Sequence, residues 1–520
     1  MALFWPEKWC IVGGAMSKSF NGNGNGAGQG KVVPALKKSS PKPPGPAVLT
    51  AAQFKKSRVV FRSAEGDELH GRLTHFTRQS ATFEFYGGGG SFRTSEILAG
   101  FQISVRDRVV YSGTAVIREI IDVGSLSVCE AKLNQPDWKS PSGVINENYQ
   151  AGDIGKEFAS FLKDWQGAFQ VLPEFKVAIG DLQSILIDLR LWLDGLELEL
   201  QSQPAATRAR IEALLIDDIR VPVITTVGTL LEKFELVAQR VEPESRAAHI
   251  AYMQHHIHPF VLSSPFIHRT FAKPLGYAGD YEMVSMMVRD PHEGNTLFAK
   301  ILNYIFLSTP PVQAHRDRLT YLTKMLRDET LRIRNLRKNQ PVRIFNLGCG
   351  PAKEIQDFLA QHEISDYAQF SLLDFNEETL ASTGEVLENC KRKHNRRTRV
   401  EMRKKSVQQI LKDAPKMRSS PEKYDIVYCA GLFDYLTDTV CARLLEVFYD
   451  LTAPGGLVVA TNVADINPSQ GWMDYMLEWH LIYRSTSEFA AMAPPQASPD
   501  MSIVRAVGTG VNIVLETRKP

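Results

Sequence analysis

Cysteine is scarce in this chain of 520 residues, and none of its six cysteines forms a C-x-x-C pair with another. A disulfide framework and a cysteine-based zinc site both depend on such clustering, so neither is expected and a reducing cytoplasm fits best. Long apolar runs are missing too, because no stretch approaches the roughly 18 residues of a spanning helix. The apolar opening MALFWPEKWC is broken by Pro6, Glu7 and Lys8, which makes it a weak signal peptide. These absences predict a soluble, cytoplasmic protein.

An excess of charge of one sign is also lacking. The sequence carries 60 Lys and Arg against 58 Asp and Glu, so its net charge of +2 indicates no special partner. Its hydrophobic share of 44% and its charged share of 23% are ordinary for a globular protein. A chain of this length exceeds what one hydrophobic core can organise, so about two to four domains are expected.

Composition and periodicity divide the chain into four parts. Residues 1–50 include a stretch rich in Gly, Asn, Ser, Pro and Lys, which predicts a disordered tail. Residues 51–140 contain short alternating runs such as SRVVFRS and SATFEFY, which predict a small β-barrel or sandwich. Residues 150–335 repeat apolar residues at helical spacing, for example in EFASFLKDWQGAF and LQSILIDLRLWLDGLELELQ, which predicts a helical cap or substrate domain. Residues 336–520 alternate strands with helices.

The barrel segment carries two arginines, Arg58 and Arg62, in the run RVVFR. This run resembles the R-x-x-x-R arm of PilZ domains, a bacterial family that often binds cyclic di-GMP, and the resemblance implies guanidinium groups that grip phosphates. The second motif of that family, D/N-x-S-x-x-G, is not matched, because the next turn reads THFTRQS without the acid or the glycine. We therefore expect a PilZ-like barrel with a structural role, and cyclic di-GMP is disfavoured as its ligand.

The strand-like runs of the last part are VRIFNLG, QFSLLD, RVEMRK, YDIVYCA and GGLVVATN. Helical stretches separate several of them, which predicts a doubly wound, Rossmann-like α/β domain with ligands at the carboxyl ends of its parallel strands. Gly348 and Gly350 follow the first strand in NLGCGPAKEI, where they allow a tight turn and close backbone approach. Asp374 ends the second strand, where an acid can accept both ribose hydroxyls of a nucleoside.

These motifs, with YDIVYCAGLFDYL and LTAPGGLVVATN after them, resemble the class I S-adenosylmethionine-dependent methyltransferases over residues 341–465. The resemblance implies S-adenosylmethionine as the cofactor, with Asp374 holding its ribose and Asn346 in place of the acid common in the first motif. A Rossmann-like domain without a cofactor is the alternative. The other implied cofactor contacts are Gly348, Cys349 and Gly350 at the methionine part, Phe375 and Ser406 at the adenine, and Ala430, Gly431 and Leu432 at the end of the fourth strand.

A second resemblance covers about residues 250–520 and includes PLGYAGDYEM, GLFDYL and EWHLIYR. It is to the bacterial 3-hydroxypalmitic acid methyl ester biosynthesis family. The resemblance implies an enzyme that methylates the carboxylate of a 3-hydroxy fatty acid, giving a methyl ester that serves as a diffusible quorum-sensing signal. The alternatives are an RNA or small-amine methyltransferase, or a non-catalytic regulator that senses a cofactor or a nucleotide.

The segment with Gly276 and Gly279 is predicted to be the hinge of a cap that closes over the cofactor. Tyr277 and Tyr281 are four residues apart, so we expect them to share a helix face and to offer aromatic surface to the sulfonium. Asp280 is expected to take the amino group of the cofactor, and the alternative is a plain turn with packed tyrosines. The remaining candidates here are Glu282, a second choice for the amino group, and Met283, Met286 and Met287, as core residues or as the wall of an acyl pocket.

The run MLEWHLIYR predicts a helix on which His480 and Arg484, four residues apart, share one face. A carboxylate is already ionised at neutral pH, so its methylation needs positioning rather than a base, and a guanidinium fork suits that task. His480, Arg484 and Tyr483 are therefore the candidate catalytic residues. The alternative is a surface arginine beside a structural histidine.

Two further clusters have weaker interpretations. His255, His256 and His258 have no acid or cysteine at ligand spacing, so we expect core or capping roles and no metal. The basic run at residues 391–405 could dock an acyl carrier protein or a membrane surface, although a solvated loop is the commonest outcome. Nucleic acid is not expected, because the run lacks aromatic residues for base stacking and the fourth strand ends in CAGLFDYL rather than in an N-P-P-Y type motif.

Overall fold

The computed structural model describes residues 57–62, 68–77, 79–86, 92–105, 108–123, 126–138, 171–337 and 340–520, with isolated positions at 155, 159 and 162. The tail predicted for residues 1–50 lies outside the described residues, and so does nearly all of the helix predicted at EFASFLKDWQGAF. Among the helices that are described, none combines the length and the apolar character that a membrane span needs.

Six antiparallel strands close into a barrel in the order β1-β2-β3-β6-β5-β4. Alternate residues point inward, and the rings of Phe61, Phe83 and Phe101 pack together in the barrel core. The ring centroid of Phe83 lies 5.1 Å from that of Phe61 and 5.5 Å from that of Phe101. The small barrel predicted from alternating runs is thus confirmed. Its strands are β1 (Ser57–Arg62), β2 (Glu68–Phe76), β3 (Ser80–Tyr86), β4 (Ile97–Val105), β5 (Arg108–Val123) and β6 (Leu126–Trp138).

Helices occupy the described chain between the barrel and the second sheet. The two longest, α1 and α2, contain the apolar repeats seen in the sequence and pack against each other. One apolar core joins them to Trp472 and Tyr475, which lie much later in the chain. The helices are α1 (Pro173–Gln201), α2 (Ala205–Ala238), α3 (Arg246–Val261), α4 (Pro265–Ala272), α5 (Tyr281–Met286), α6 (Leu297–Leu307) and α7 (Pro310–Leu336).

The second sheet has seven strands in the order β12-β13-β11-β10-β7-β8-β9. The five central and edge strands predicted from the sequence are present and parallel: β7 (Val342–Leu347), β8 (Ala368–Asp374), β9 (Arg399–Lys404), β10 (Tyr424–Cys429) and β11 (Thr452–Val463). Helices α8 (Lys353–Gln361), α9 (Glu377–His394), α10 (Val407–Arg418), α11 (Asp438–Leu451), α12 (Gln470–Leu477) and α13 (Thr486–Ala491) complete the domain.

An antiparallel pair of strands that the sequence patterns did not predict follows α13. β12 (Ser502–Val507) and β13 (Asn512–Arg518) form a hairpin, and β13 pairs antiparallel with β11. The sheet is therefore mixed rather than wholly parallel. Two apolar layers cover its faces.

A buried cluster of charges ties the barrel to the rest of the protein. Lys132 of β6 forms an ion pair with Glu478, whose Oε1 also accepts a hydrogen bond from Gln254 Nε2 at 2.8 Å. Lys273 donates to the carbonyl of Leu477 at 3.0 Å. Burial alone would raise the pKa of Glu478, but the ammonium groups of Lys132 and Lys273 hold that pKa at about 2. Glu478 is therefore ionised at every pH at which the protein is expected to work.

We expect Glu478→Gln to lower the free energy of unfolding by about 3 kcal/mol at pH 7, since a folded pKa of about 2 lies below the ordinary value of 4.5. Because the folded pKa is the lower one, this stability is present above pH 4.5 and is lost as the pH falls through about 2. Urea denaturation measures the effect. Glu68→Gln is the control, because Glu68 pairs with Arg62 on the exposed barrel surface and such pairs contribute little. Equal effects of the two substitutions would contradict the assignment.

Candidate functional site

A cleft opens at the carboxyl ends of β7, β8 and β10, where the strand order of the parallel sheet reverses direction. Its volume is about 910 Å³ including the solvent at its mouth, which is in the range of small-molecule sites. We refer to it as the main cleft. Such a reversal point is where doubly wound sheets bind their ligands, so the fold itself places a site here.

The floor of the main cleft is the turn between β7 and α8. Gly348 and Gly350 adopt positive φ angles of 71° and 50°, which glycine reaches without steric cost. The amides of Gly348 and Cys349 both donate to the carbonyl of Leu373, at 2.7 and 3.1 Å, and this fixes the turn against β8. A Cβ at Gly350 would meet no atom within 4 Å, so the backbone there is open to the cleft.

Asp374 ends β8 and lines the main cleft. Its Oδ1 accepts a hydrogen bond from the amide of Asn376 at 3.0 Å, and its Oδ2 accepts one from the amide of Gly350 at 3.2 Å. Burial raises the pKa of this carboxyl, while these amides and the positive charge of Arg93 oppose the rise. The carboxyl is thus fixed in position by the glycine turn.

Aromatic rings and a cation form one wall of the main cleft. Tyr277 and Phe375 meet edge to face, with ring centroids 4.9 Å apart. Arg93, from the turn before β4, places its guanidinium carbon 4.0 Å above the centre of the Phe375 ring. Arg93 could not be predicted from the sequence, because a single arginine in SFRTSE carries no local signal and only the tertiary fold brings it to the cleft.

A second cavity adjoins the main cleft, with a volume of about 530 Å³ including solvent. Three methionines, Met283, Met287 and Met473, line it, and Trp479 and Leu481 extend its apolar surface. The two spaces share a wall, which we call the shared wall. Its residues are Gly279, Val284, His315, Arg318, Gly431 and Tyr435.

Arg318 of α7 is the charged residue of the shared wall, and its side chain is buried. Its Nη2 lies 2.8 Å from Nδ1 of His315, and among the described residues it forms no ion pair with a carboxylate. Its Nε has no hydrogen-bond partner. The buried carboxylate of Asp434, which lines the second cavity, compensates part of this charge, since Arg318 opposes the rise that burial causes in the pKa of Asp434. Because no described carboxylate is in ion-pair contact with Arg318, the shared wall can still receive an anion.

The hydrogen bond to Arg318 fixes the tautomer of His315. A guanidinium group can only donate, so Nδ1 of His315 accepts. Burial and the neighbouring Arg318 charge hold the pKa of His315 well below its ordinary value, so the ring is neutral and its proton is on Nε2. This Nε2–H also lacks a partner. The shared wall therefore has two unpartnered donors, and His315 is not available as a base.

Asn346 supplies the opposite kind of group. Its Nδ2 donates to the carbonyl of Tyr428 at 3.4 Å, whereas its buried Oδ1 has no donor among the described residues. An ammonium or amino group in the main cleft would satisfy that oxygen. A ligand of this site would thus complement it by offering a donor toward Asn346 and an acceptor toward the shared wall.

Most of the residues expected at the cofactor from sequence lie together. The main cleft is lined by Asn346, Gly348, Cys349, Gly350, Asp374, Phe375, Ala430, Gly431, Leu432, Tyr277 and Tyr281. Ser406 does not line it, because its hydroxyl caps α10 by accepting from the amide of Gln409, and the neighbours Lys405 and Val407 take its place.

The helix predicted for MLEWHLIYR is wrong beyond Leu477. Glu478 adopts a left-handed conformation with φ of 50°, which ends α12. Arg484 is consequently not on a helix with His480, and its exposed fraction is only 2%. Its guanidinium donates to Asp438 Oδ1, Asn462 Oδ1 and the carbonyls of Phe433 and Leu436. Arg484 is fully used inside the fold and cannot clamp a substrate carboxylate.

The two other candidate catalytic residues also have structural partners. His480 Nδ1 lies 2.9 Å from Asp474 Oδ1, and its carbonyl accepts from the hydroxyls of Thr94 and Ser95. The Tyr483 hydroxyl accepts from Asn467 Nδ2 at 3.4 Å. Neither His480 nor Tyr483 lines the main cleft or the second cavity.

The segment around Gly279 differs from the predicted helix face. Tyr277 lies in the loop and α5 begins only at Tyr281, so the two tyrosines do not share a helix. Asp280 caps α5 by accepting from the amide of Met283 at 2.8 Å, and it pairs with Arg269. It is therefore not free for a cofactor amine. Glu282 pairs with Arg289, and of the methionines Met283 and Met287 line the second cavity whereas Met286 is in the core.

Position 279 accommodates glycine better than any residue with a side chain. Its φ is +76°, and a Cβ there would lie 2.6 Å from the hydroxyl of Tyr435. Gly276 accepts a hydrogen bond at its carbonyl from the amide of Ile97 at 2.6 Å. The loop is thus held by the barrel on one side and by the shared wall on the other.

The remaining clusters have local explanations. His258 Nε2 bonds to the carbonyl of Met476 at 2.8 Å, and in the described part of the chain no group of three or more His, Cys, Asp or Glu is placed to hold a metal. The basic run at residues 391–405 covers the last turn of α9 and the edge strand β9. Basic residues in the last turn of a helix interact favourably with the negative end of the helix dipole. Lys391 and Lys405 also form ion pairs with carboxylates.

No protein-family model and no curated protein matches the chain. A protein of Bordetella parapertussis described as a possible exported protein is similar in structure, with 15% identity over 54% of this chain and 99% of its own, at a TM-score of 0.38. The magnesium protoporphyrin IX methyltransferase of Synechocystis PCC 6803, with bound SAH, has 12% identity over 40% and 84% of the two chains at 0.29. The N-methyltransferase NodS of Bradyrhizobium japonicum, in complex with S-adenosyl-L-homocysteine, has 13% identity over 46% and 98% at 0.28.

Proposed function

We propose that this chain is an S-adenosylmethionine-dependent methyltransferase that methylates the carboxylate of an acid with a large apolar part, such as a 3-hydroxy fatty acid. The observation that carries the proposal is the buried Arg318, which forms no ion pair with a carboxylate among the described residues and lies on the wall between the main cleft and the largely apolar second cavity.

The residues of the main cleft fit the cofactor. Asp374 is fixed at the end of β8 with a carboxylate that can accept from ribose hydroxyls. The unpartnered Oδ1 of Asn346 suits the cofactor's amino group, and the open backbone at Gly350 allows close approach. Phe375 offers an apolar face to the adenine. When bound, S-adenosylmethionine supplies an electrophilic methyl group.

The shared wall fits a carboxylate acceptor better than a neutral one. Arg318 lines both cavities, and a guanidinium offers charge-assisted donors that suit an anionic oxygen. An alcohol or a protonated amine would instead need a base. His315 cannot serve as that base, because its Nδ1 already accepts from Arg318. An acceptor that is already ionised needs only to be held in position.

The second cavity fits the apolar part of such an acid. Its methionines come from α5, from the residue after α5 and from α12, and unbranched thioether side chains adapt to a flexible chain. A carboxylate on Arg318 would extend its chain directly into this space, because Arg318 lines both cavities.

We expect the purified protein, supplied with S-adenosylmethionine, to form methyl esters from 3-hydroxy and unsubstituted fatty acids but no methylated product from the matching alcohols or amines. Mass spectrometry of the products and calorimetry with S-adenosylhomocysteine are the two measurements. Because a fatty acid is ionised above about pH 5, esterification should change little between about pH 6.5 and 8.5.

Three other outcomes would each contradict part of the proposed function. Methylation of amines at a rate that rises with pH, or of RNA, would replace the acid by one of the alternative acceptors. Cofactor binding without product on any substrate would favour a non-catalytic sensor. Failure to bind S-adenosylhomocysteine would exclude the cofactor assignment itself.

A further inference from the structure

The barrel contributes a side chain to the main cleft. Arg93 lies in the turn that precedes β4 of the barrel, yet it lines the main cleft at the second sheet. Its exposed fraction is 8%, and its guanidinium makes no hydrogen bond or ion pair with any described residue. A nine-tenths buried cation without such a partner, facing a ligand cleft, indicates a group made for a ligand rather than for the fold.

The turn that carries Arg93 is held rigidly in place. Ser95 adopts a left-handed conformation with φ of 62°, which is costly for a residue that is not glycine. The hydroxyls of Thr94 and Ser95 donate to the carbonyl of His480 at 3.0 and 3.1 Å, and the amide of Ile97 donates to the carbonyl of Gly276 at 2.6 Å. These contacts with two distant segments keep the strained turn, and with it Arg93, against the cleft.

The surroundings of Arg93 define what it would bind. Its guanidinium carbon lies 4.0 Å over the Phe375 ring and 5.7 Å from the ring centre of Tyr277, so Arg93 and these rings form one surface. Asp374, the ribose candidate, ends the strand just before Phe375. Guanidinium groups and aromatic rings are the side chains on which nucleic acid bases stack.

We infer that Arg93 is a binding residue for the nucleoside part of the cofactor, so that the barrel is a structural component of the active site. This inference rests on the proposed function, because it takes the ligand to be S-adenosylmethionine. It adds a residue from outside the methyltransferase domain and gives the barrel a role that needs no cyclic dinucleotide.

The test compares S-adenosylhomocysteine and adenosine binding to the full-length wild type, Arg93→Ala and Arg93→Lys. We expect Arg93→Ala to weaken both ligands by about 10-fold, since base stacking contributes on this scale. Arg93→Lys keeps the charge but loses the planar group, and at least half of the loss in binding free energy should persist. The control is Arg58→Ala, which removes an exposed barrel arginine and should leave both affinities unchanged.

Thermal denaturation separates binding from folding. Arg93→Ala should melt within a few degrees of the wild type, because only ring contacts of the guanidinium with Phe375 and Tyr277 are lost and no hydrogen bond or ion pair with a described residue. Wild-type binding with unchanged affinity in Arg93→Ala would overturn the inference and leave the proposed function standing. A loss confined to variants that also melt early would show a structural role and overturn it as well. Absence of binding by the wild type would overturn both.

Discussion

Arg318→Met should lower kcat/KM for a fatty acid by about 10²- to 10³-fold, while the affinity for S-adenosylhomocysteine changes by less than about threefold. The physical reason is the loss of charge-assisted hydrogen bonds to the carboxylate at a buried position, where no water replaces them. Steady-state kinetics with the best acid from the product screen and calorimetry with the cofactor product are the measurements. Arg318→Lys keeps the charge without the fork, and we expect it to recover only part of the loss.

Arg334→Met is the matched control for Arg318. Arg334 lies on the same helix, α7, but its guanidinium stacks over the ring of Tyr367 at 4.0 Å, outside both cavities. Its removal should leave kcat/KM unchanged. If Arg318→Met kept full turnover while Arg484→Met abolished it without a loss of stability, the assignment of the acid to Arg318 would be wrong.

Asp374→Ala should weaken S-adenosylhomocysteine binding by on the order of 2 to 4 kcal/mol, because two hydrogen bonds from ribose to an ionised group are lost. The same carboxylate accepts from the amides of Gly350 and Asn376, so part of the loss would come through the glycine turn. Calorimetry measures the affinity, and adenine alone serves as a ligand without ribose. Its binding should fall by less than that of S-adenosylhomocysteine.

Asp357→Ala is the comparison for Asp374. Asp357 pairs with Lys353 on α8, close in sequence to the glycine turn, but it does not line the main cleft. We expect its affinity for S-adenosylhomocysteine to equal that of the wild type. Unchanged affinity in Asp374→Ala would remove the ribose assignment and with it the main support for a nucleoside cofactor.

Local patterns predicted much of this fold. Strand alternation located the barrel, and α9 is one of the helical stretches predicted between the strand runs of the last part of the chain. The turn at Gly348 and Gly350 was found because a tight strand-to-helix connection restricts which residues can occupy it. Features of this kind are encoded within a few neighbouring residues, so a single sequence is enough to find them.

The other half of the site could not be predicted in this way. Arg93, His315 and Arg318 come from a barrel turn and from α7, and nothing in their neighbouring residues distinguishes them from other basic residues of the chain. Their place in the site depends on tertiary contacts, since all three become buried and line the main cleft only after folding. The predicted position of Arg484 was wrong because the helix was expected to continue. Glu478 instead adopts a left-handed conformation that ends α12, so the residues after it do not follow the helical spacing.

The wall shared by the two cavities has a consequence for the order of events at the site. Gly431 brings the backbone so close to Arg318 that a Cβ there would lie 2.9 Å from Nη2, so the guanidinium has little room to move. A ligand in either cavity would contact the same few side chains. Under the proposed function we therefore expect the two binding steps to be linked, with the cofactor and the acid each changing the affinity for the other by the same factor.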